Sequence, residues 1–221
     1  GERPTPEVFR RFAGDLPLDG IRGTARLLGK KAAEAFEPGD RYVYLPDYEE
    51  TLSNKDALMT ATILVEREMN WQSGRGLLQR YGDRLLVVEP PPEPLRPEEL
   101  DRVHELPYAR RPHPKYKGRI PGYETVKDSI QAVRGCPGGC AFCGLVVHQG
   151  RHVMSRSEDS IMRELDTIAE QPYFKGTISD VGGAAGNIFQ SRYDLERCKT
   201  CKRSSCLYPV PCSSYVCTGR E

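Results

Sequence analysis

All eight cysteines of this 221-residue chain fall after residue 135, at positions 136, 140, 143, 198, 201, 206, 212 and 217. A disulfide framework would be spread along the chain, whereas thiols crowded into its last part point to localised thiolate sites. The cysteine-free first part must then fold around an ordinary hydrophobic core. That core is lean, because only 38% of the residues are hydrophobic. With 21 glycines and 18 prolines, long loops are expected. A net charge of +1 removes any global electrostatic case for nucleic acid and leaves only local basic patches. No run of about 18 apolar residues is present to span a membrane. The chain opens on Gly1 rather than Met, and no charged-then-apolar signal segment follows. An internal piece of a longer, cytoplasmic protein is therefore expected.

Hydrophobic periodicity divides the chain. Short strands are expected within 19–28 and at 41–45, where Pro46 stops the second. A helix is expected over 53–70, capped by Ser53 or Asn54. A hairpin should join 76–79 to 85–89 through a turn at Gly82-Asp83, before Pro90-Pro91-Pro92 ends the ladder. Residues 90–97 form a stiff connector, and Pro97-Glu98-Glu99 starts another helix. The proline-rich, basic stretch 106–122 reads as a solvated linker in which His113 is structural; the sharper alternative is a strap touching an anionic ligand, with Tyr108 or Tyr116 stacking. Downstream, a strand over 128–133, a cysteine loop to Gly150, an amphipathic helix over 157–170 and a strand over 176–181 make a βαβ unit with a parallel, right-handed crossover. The helix start fits a capping box of Ser155 and Glu158, with Ser157 as the competing cap. Ligands of such sheets sit at the carboxyl edge of the strands, where the cysteine loop and Gly182-Gly183 both fall.

Cys136, Cys140 and Cys143 have the spacing C-x3-C-x2-C inside a loop containing Pro137, Gly138, Gly139 and Gly144. Three close thiolates can hold three irons of a cubane cluster and leave the fourth iron open to an exogenous ligand. Glycines let the backbone amides approach the sulfides. Three other readings stay open. They are a structural zinc completed by His148 or His152, a redox pair of Cys140 and Cys143 that leaves Cys136 unexplained, and a disulfide, disfavoured in the cytosol.

With Phe142 before Cys143, the loop is similar to the signature of radical S-adenosylmethionine (radical SAM) enzymes. The segments IPGYE, RGCPGGCAFC, RSEDSI, ISDVGG and SCLYPVPC resemble YgiQ-type radical SAM proteins, and GRGLLQRYGDR, ELPYARRPHPKY and IRGTAR extend the likeness over nearly the whole chain. The resemblance implies that Cys136, Cys140 and Cys143 ligate a [4Fe-4S] cluster whose free iron chelates the amino and carboxylate groups of SAM. It places Phe142 against the adenine and Gly182-Gly183 in the motif that binds the SAM amino group. That motif commonly ends in Glu, where this chain has Ala184, so Asp180 or backbone carbonyls are the candidate acceptors. It further implies reductive cleavage of SAM to a 5′-deoxyadenosyl radical that abstracts hydrogen from an unknown substrate, with an electron donor such as a flavodoxin or ferredoxin.

The remaining five cysteines follow C-x2-C-x4-C-x5-C-x4-C amid Lys199, Lys202 and Arg203. Thiols so close together among polar and proline residues suit a four-thiolate site, either zinc or an auxiliary iron-sulfur cluster. The resemblance covers Cys198, Cys201, Cys206 and Cys212 and leaves Cys217 out. The alternative is redox-reactive or unpaired thiols.

The expected fold class is therefore α/β. Residues 1–89 would be the tail of an upstream domain, 90–122 a proline-rich basic connector, and 123–221 the start of a radical SAM partial (β/α) barrel with its cysteine-rich segment at 198–217. A whole barrel takes about 250 residues, so this chain should bind iron yet turn over SAM poorly by itself. The rival functions are a zinc-stabilised module contacting nucleic acid and a thiol redox protein.

Overall fold

The computed structural model describes residues 2–183 and 186–217. The first part contains α1 (Thr5–Ala13), β1 (Ala25–Leu28), α2 (Lys30–Glu34), β2 (Tyr42–Tyr44), α3 (Tyr48–Ser53), α4 (Lys55–Arg67), β3 (Gly76–Tyr81) and β4 (Arg84–Val88). Its four strands form one sheet in the order β1-β4-β3-β2, antiparallel except for the β2–β3 pair. The two-residue turn of the β3–β4 hairpin lies between the paired Tyr81 and Arg84, and Gly82 takes a φ of +58° there, a conformation that costs glycine little. Leu78, Leu85 and Val87 point to the inner face, where Leu28, Phe36 and Tyr42 cover them. Each side chain so buried contributes about 1.5–3 kcal/mol.

The helix expected over 53–70 is α4, and a separate helix, α3, ends at Ser53. Asn54 breaks the run by leaving the helical region, and its side-chain oxygen accepts the amides of Asp56 at 2.9 Å and Ala57 at 3.4 Å. That cap satisfies two orphan donors of α4, so the competition between Ser53 and Asn54 is won by Asn54.

The second part contains α5 (Pro97–His104), α6 (Pro121–Val126), β5 (Ser129–Gln131), β6 (Val133–Arg134), α7 (Leu145–Gln149), β7 (Met154–Ser155), α8 (Glu158–Ala169), β8 (Asp180–Gly182), β9 (Arg192–Tyr193), α9 (Leu195–Cys198) and β10 (Tyr215–Val216). β5 pairs with β8 in parallel, β6 with β7 and β9 with β10 antiparallel. The parallel β5–β8 pair, with α8 between its strands in sequence, is the expected βαβ element. No barrel closes among the described residues, because parallel pairing downstream of β5 is confined to this pair.

The strand expected over 128–133 changes partner at Ala132. Its amide donates to the Gly182 carbonyl at 2.7 Å, while its carbonyl accepts the Arg156 amide at 3.0 Å. The ladder thus passes from β8 to β7, and a single hydrophobic run becomes two short strands. The strand expected over 176–181 begins later, at Asp180, although Ser179 already donates to the Asp128 carbonyl at 2.9 Å. Helix α8 is capped by Ser157, whose hydroxyl accepts the Ser160 amide at 3.1 Å. The expected capping box is absent because Ser155 and Glu158 accept instead from the backbone and side chain of Gln190, at 2.8 and 3.1 Å.

Two arginines fasten the connector. Glu164 of α8 pairs with both Arg110 of the basic stretch and the buried Arg156, and Tyr123 donates its hydroxyl to the Arg110 carbonyl at 2.9 Å. Charge in the linker thus serves attachment at Arg110, while most of 106–119 is exposed. His113 accepts the Lys115 amide at 3.2 Å, a local turn contact.

Candidate functional site

The cysteine loop leaves β6 through Gly135, whose φ of +93° and closeness to the His152 carbonyl exclude a side chain. The Cys136 amide then donates to the Gly150 carbonyl at 3.1 Å and the Gly135 amide to the Gln149 side chain at 3.1 Å, so the two ends of the loop are tied together. Inside it, Gly138 donates its amide to Cys136 Sγ at 3.4 Å. A Cβ on Gly138 would stand 3.4 Å from Cys136 Sγ and 3.6 Å from Cys140 Sγ, so both sulfurs lie close to one point beside this glycine. The Cys143 amide donates to the Cys140 carbonyl at 3.0 Å, which folds the third cysteine back toward the second. Cys136 is buried, whereas Cys140 and Cys143 are exposed.

Gly182 and Gly183 line a cavity of about 520 Å³ with Ala132, Val133, Asp180 and Asn187, beside the end of the parallel pair. Gly183 packs so closely on Val133 that a Cβ would collide with Cγ2. Asp180, the candidate acceptor for an ammonium group, lines the same cavity. Ala184 lies outside the described residues. Neither the three cysteines nor Phe142 line this cavity, and Phe142 is 93% exposed at the loop tip. The Phe142 ring stands on the exposed side of the loop, between two exposed cysteines.

Among the described residues, no three His, Cys, Asp or Glu side chains already meet around one point. Neither the three cysteines of the loop nor His148 and His152 are gathered into a ligand set. His152 is instead packed against Tyr193, with ring centroids 4.7 Å apart, and against Trp71 at 6.2 Å. Burial, aided by Arg151, pushes its pKa down to about 4. The donor set nonetheless suits a cubane: three thiols on one glycine-rich loop, two of them beside Gly138, whose amide is directed at a sulfur.

The second cysteine segment packs against the first. Cys206 donates its amide to the Pro137 carbonyl at 2.9 Å, and Gly139, with φ +64°, lies against the Ser204 carbonyl where no Cβ fits. Asn70, after α4, donates its side-chain amide to the carbonyls of Cys198 at 2.8 Å and Cys201 at 3.3 Å. Arg151 reaches the carbonyls of Arg203 and Glu66. Burial, together with the neighbouring Cys212, Cys201 and Cys198 thiols, pushes Cys206 up to about 11. Burial also raises Cys198, while the Ser214 amide lowers Cys212. Asn70, Arg151 and the Pro137 carbonyl carry no local sequence signal of this role, since each acts across a long stretch of chain.

Residues 1–129 match the family described as Radical SAM N-terminal, and the match ends where β5 begins. A UPF0313 protein of Geobacter sulfurreducens is 41% identical over 225 residues, covering 100% of this chain and 36% of the relative. One from Porphyromonas gingivalis is 40% identical over 217 residues, with 96% and 34% covered. The UPF0313 protein YgiQ of Escherichia coli is 44% identical over 174 residues, with 77% and 24% covered. The chain thus spans about a third or less of the length of these relatives. No solved structure matches. The class to which the matched domain points is that of radical SAM-family proteins. Within it, the chain belongs to the YgiQ-type, UPF0313, family. No helix among the described residues is long and apolar enough to cross a membrane.

Proposed function

We propose that this chain carries the cluster-binding loop and part of the SAM site of a radical SAM enzyme. The observation that carries the reading is the approach of two thiols to one glycine: Cys136 Sγ and Cys140 Sγ lie within 3.4 and 3.6 Å of where a Gly138 Cβ would stand, and the Gly138 amide donates to Cys136 Sγ. Cys136, Cys140 and Cys143 hold three irons as thiolates, and the amide bond to sulfur stabilises the more negative, reduced state. Gly182-Gly183 keep the cavity wall flat enough for a ligand backbone to approach, and Asp180 accepts from an ammonium group there. When bound, the [4Fe-4S] cluster supplies one electron that splits SAM into methionine and a 5′-deoxyadenosyl radical able to take hydrogen from a substrate. The electron comes from a small one-electron carrier of the flavodoxin or ferredoxin type. Residues 123–221 form the opening part of the catalytic core, and residues 90–122 the connector to it.

The test is anaerobic reconstitution of the full-length protein with iron and sulfide, followed by dithionite and SAM. The expected product is 5′-deoxyadenosine, abolished by Cys140→Ala. Full-length protein that takes up no iron and sulfide, or forms the nucleoside equally well after Cys140→Ala, overturns the reading.

A further inference from the structure

We propose that Cys198, Cys201, Cys206 and Cys212 form a second metal site, a four-thiolate structural zinc centre that supports the first cysteine loop. The inference goes beyond the function proposed above and does not depend on it.

Four arrangements hold the backbones of these cysteines on one closed loop, although their thiols do not yet meet around one point. Residues 194–214 form a loop closed at its base by the β9–β10 ladder and by the Asp194 amide donating to the Ser214 carbonyl at 2.9 Å. Within it, Cys201 donates its amide to the Cys198 carbonyl at 3.1 Å, and Cys212 to the Cys206 carbonyl at 2.7 Å. Each pair is thereby held as a short bite. Arg203 then draws the far side of the loop inward, since its guanidinium donates to the carbonyls of Ser205 at 3.0 Å, Tyr208 at 3.1 Å and Val210. Finally, Cys198, Cys201 and Cys206 line one cavity, and the Cys212 amide bond to the Cys206 carbonyl keeps Cys212 beside it.

Cys217 is set apart by its own contact, because its thiol donates to the Asn187 carbonyl at 3.2 Å. Four is also the number that closes a tetrahedral zinc site. Two short bites on one loop suit a single ion; a cubane would require its thiolates spread over several irons. The thiols stand apart and close on the ion by side-chain rotation, each losing its proton as its sulfur binds. A four-thiolate zinc carries a net charge of −2, and the Arg151 guanidinium, which lies near Cys206 and Cys201, offsets part of it. The position explains the purpose of the site. The same loop gives its Cys206 amide to Pro137, abuts Gly139 through Ser204, and takes the side chain of Asn70 from the N-terminal part. Fixing the loop with an ion fixes the floor beneath Cys136 and Cys140.

Elemental analysis and cobalt substitution of the full-length protein test this. The expected result is one zinc per chain, retained by Cys217→Ser and by the triple replacement of Cys136, Cys140 and Cys143 with serine, but lost in Cys206→Ser. The cobalt form of the wild type should show intense thiolate-to-metal charge-transfer bands with the visible bands of tetrahedral cobalt, a signature independent of whether any variant folds. Absence of zinc and of those bands overturns the proposal. So does zinc that survives Cys206→Ser, zinc that leaves with the first-loop triple variant, or iron and sulfide found at this site in its place. Loss of iron with zinc kept in the triple variant would separate the two sites, because failure of the cluster reading leaves the zinc count unchanged.

Discussion

The main-chain amide of Cys206 donates to the carbonyl of Pro137 at 2.9 Å. This one bond joins two cysteine segments far apart in the chain, and places the residue after Cys136 on the backbone of a cysteine in the second group. The conformation of the first loop is therefore mechanically coupled to that of the second.

Gly139 lies at the same contact, with a φ of +64° and no room for a Cβ beside the Ser204 carbonyl. Gly139→Ala should cost about 1–3 kcal/mol from backbone strain alone and lower iron retention after reconstitution. Gly144→Ala, at a position with nothing near its absent side chain and no positive φ, is the control. A thermal melt with an iron assay reads both, and equal behaviour of the two variants would remove the coupling.

Gly182 and Gly183 are neighbours with different constraints. A Cβ on Gly183 collides with the buried Val133, whereas one on Gly182 meets only Asp180 Oδ1 at 3.7 Å. Gly183→Ala should destabilise the protein by about 1–3 kcal/mol through overpacking. Gly182→Ala should cost no more than about 1 kcal/mol, the general penalty for most point changes. Denaturant unfolding of the two variants decides, and the reverse order would show that the packing of β8 on β6 is wrong.

Glu164 holds Arg110 and Arg156 together, and the Arg156 side chain is fully buried. Burial acts to raise the Glu164 carboxyl, but hydrogen bonds from Arg110 and Arg156 and their charges outweigh it, so its pKa is lowered. Glu164→Gln strands a buried guanidinium and should cost about 3 kcal/mol or more. The wild-type advantage should be complete above the unfolded carboxyl pKa and disappear as pH falls through the lower folded value. Stability measured across that range checks both statements.

Glu99 gives the same sign with a more defined window. The Arg96 amide, donating at 2.9 Å, and Arg3, at 2.6 Å, hold its pKa down to about 2 from 4.5. A group depressed on folding stabilises above its unfolded value and loses that effect as pH falls through its folded one. The difference in melting temperature between wild type and Glu99→Gln should be constant above pH 4.5 and shrink toward pH 2. A difference that grows on acidification would contradict the assigned contacts.

What could be read from the residues was local. The hairpin at Gly82, the start of α5 at Pro97, the run of α8 and the cysteine spacing each depend on neighbours in sequence. The change of strand partner at Ala132 could not be read that way, since Val133 is as apolar as Ile130 and only the distant Gly182 and Arg156 divide the run. Ser155 lost the helix cap for a similar reason, because Gln190 arrives from a later segment to take its hydroxyl. The candidate site divides along the same line. The ligand types were visible, but not the packing of Ser204–Cys206 on Pro137–Gly139 or the reach of Asn70.

We propose that Cys136, Cys140 and Cys143 hold a cluster with one iron open to SAM. Electron paramagnetic resonance of the reduced, reconstituted full-length protein, recorded before and after addition of SAM, tests it most directly. The prediction is a reduced [4Fe-4S] signal whose g-values shift on SAM addition, with the shift absent in Cys140→Ala. No such signal, or one indifferent to SAM in the wild type, would contradict it.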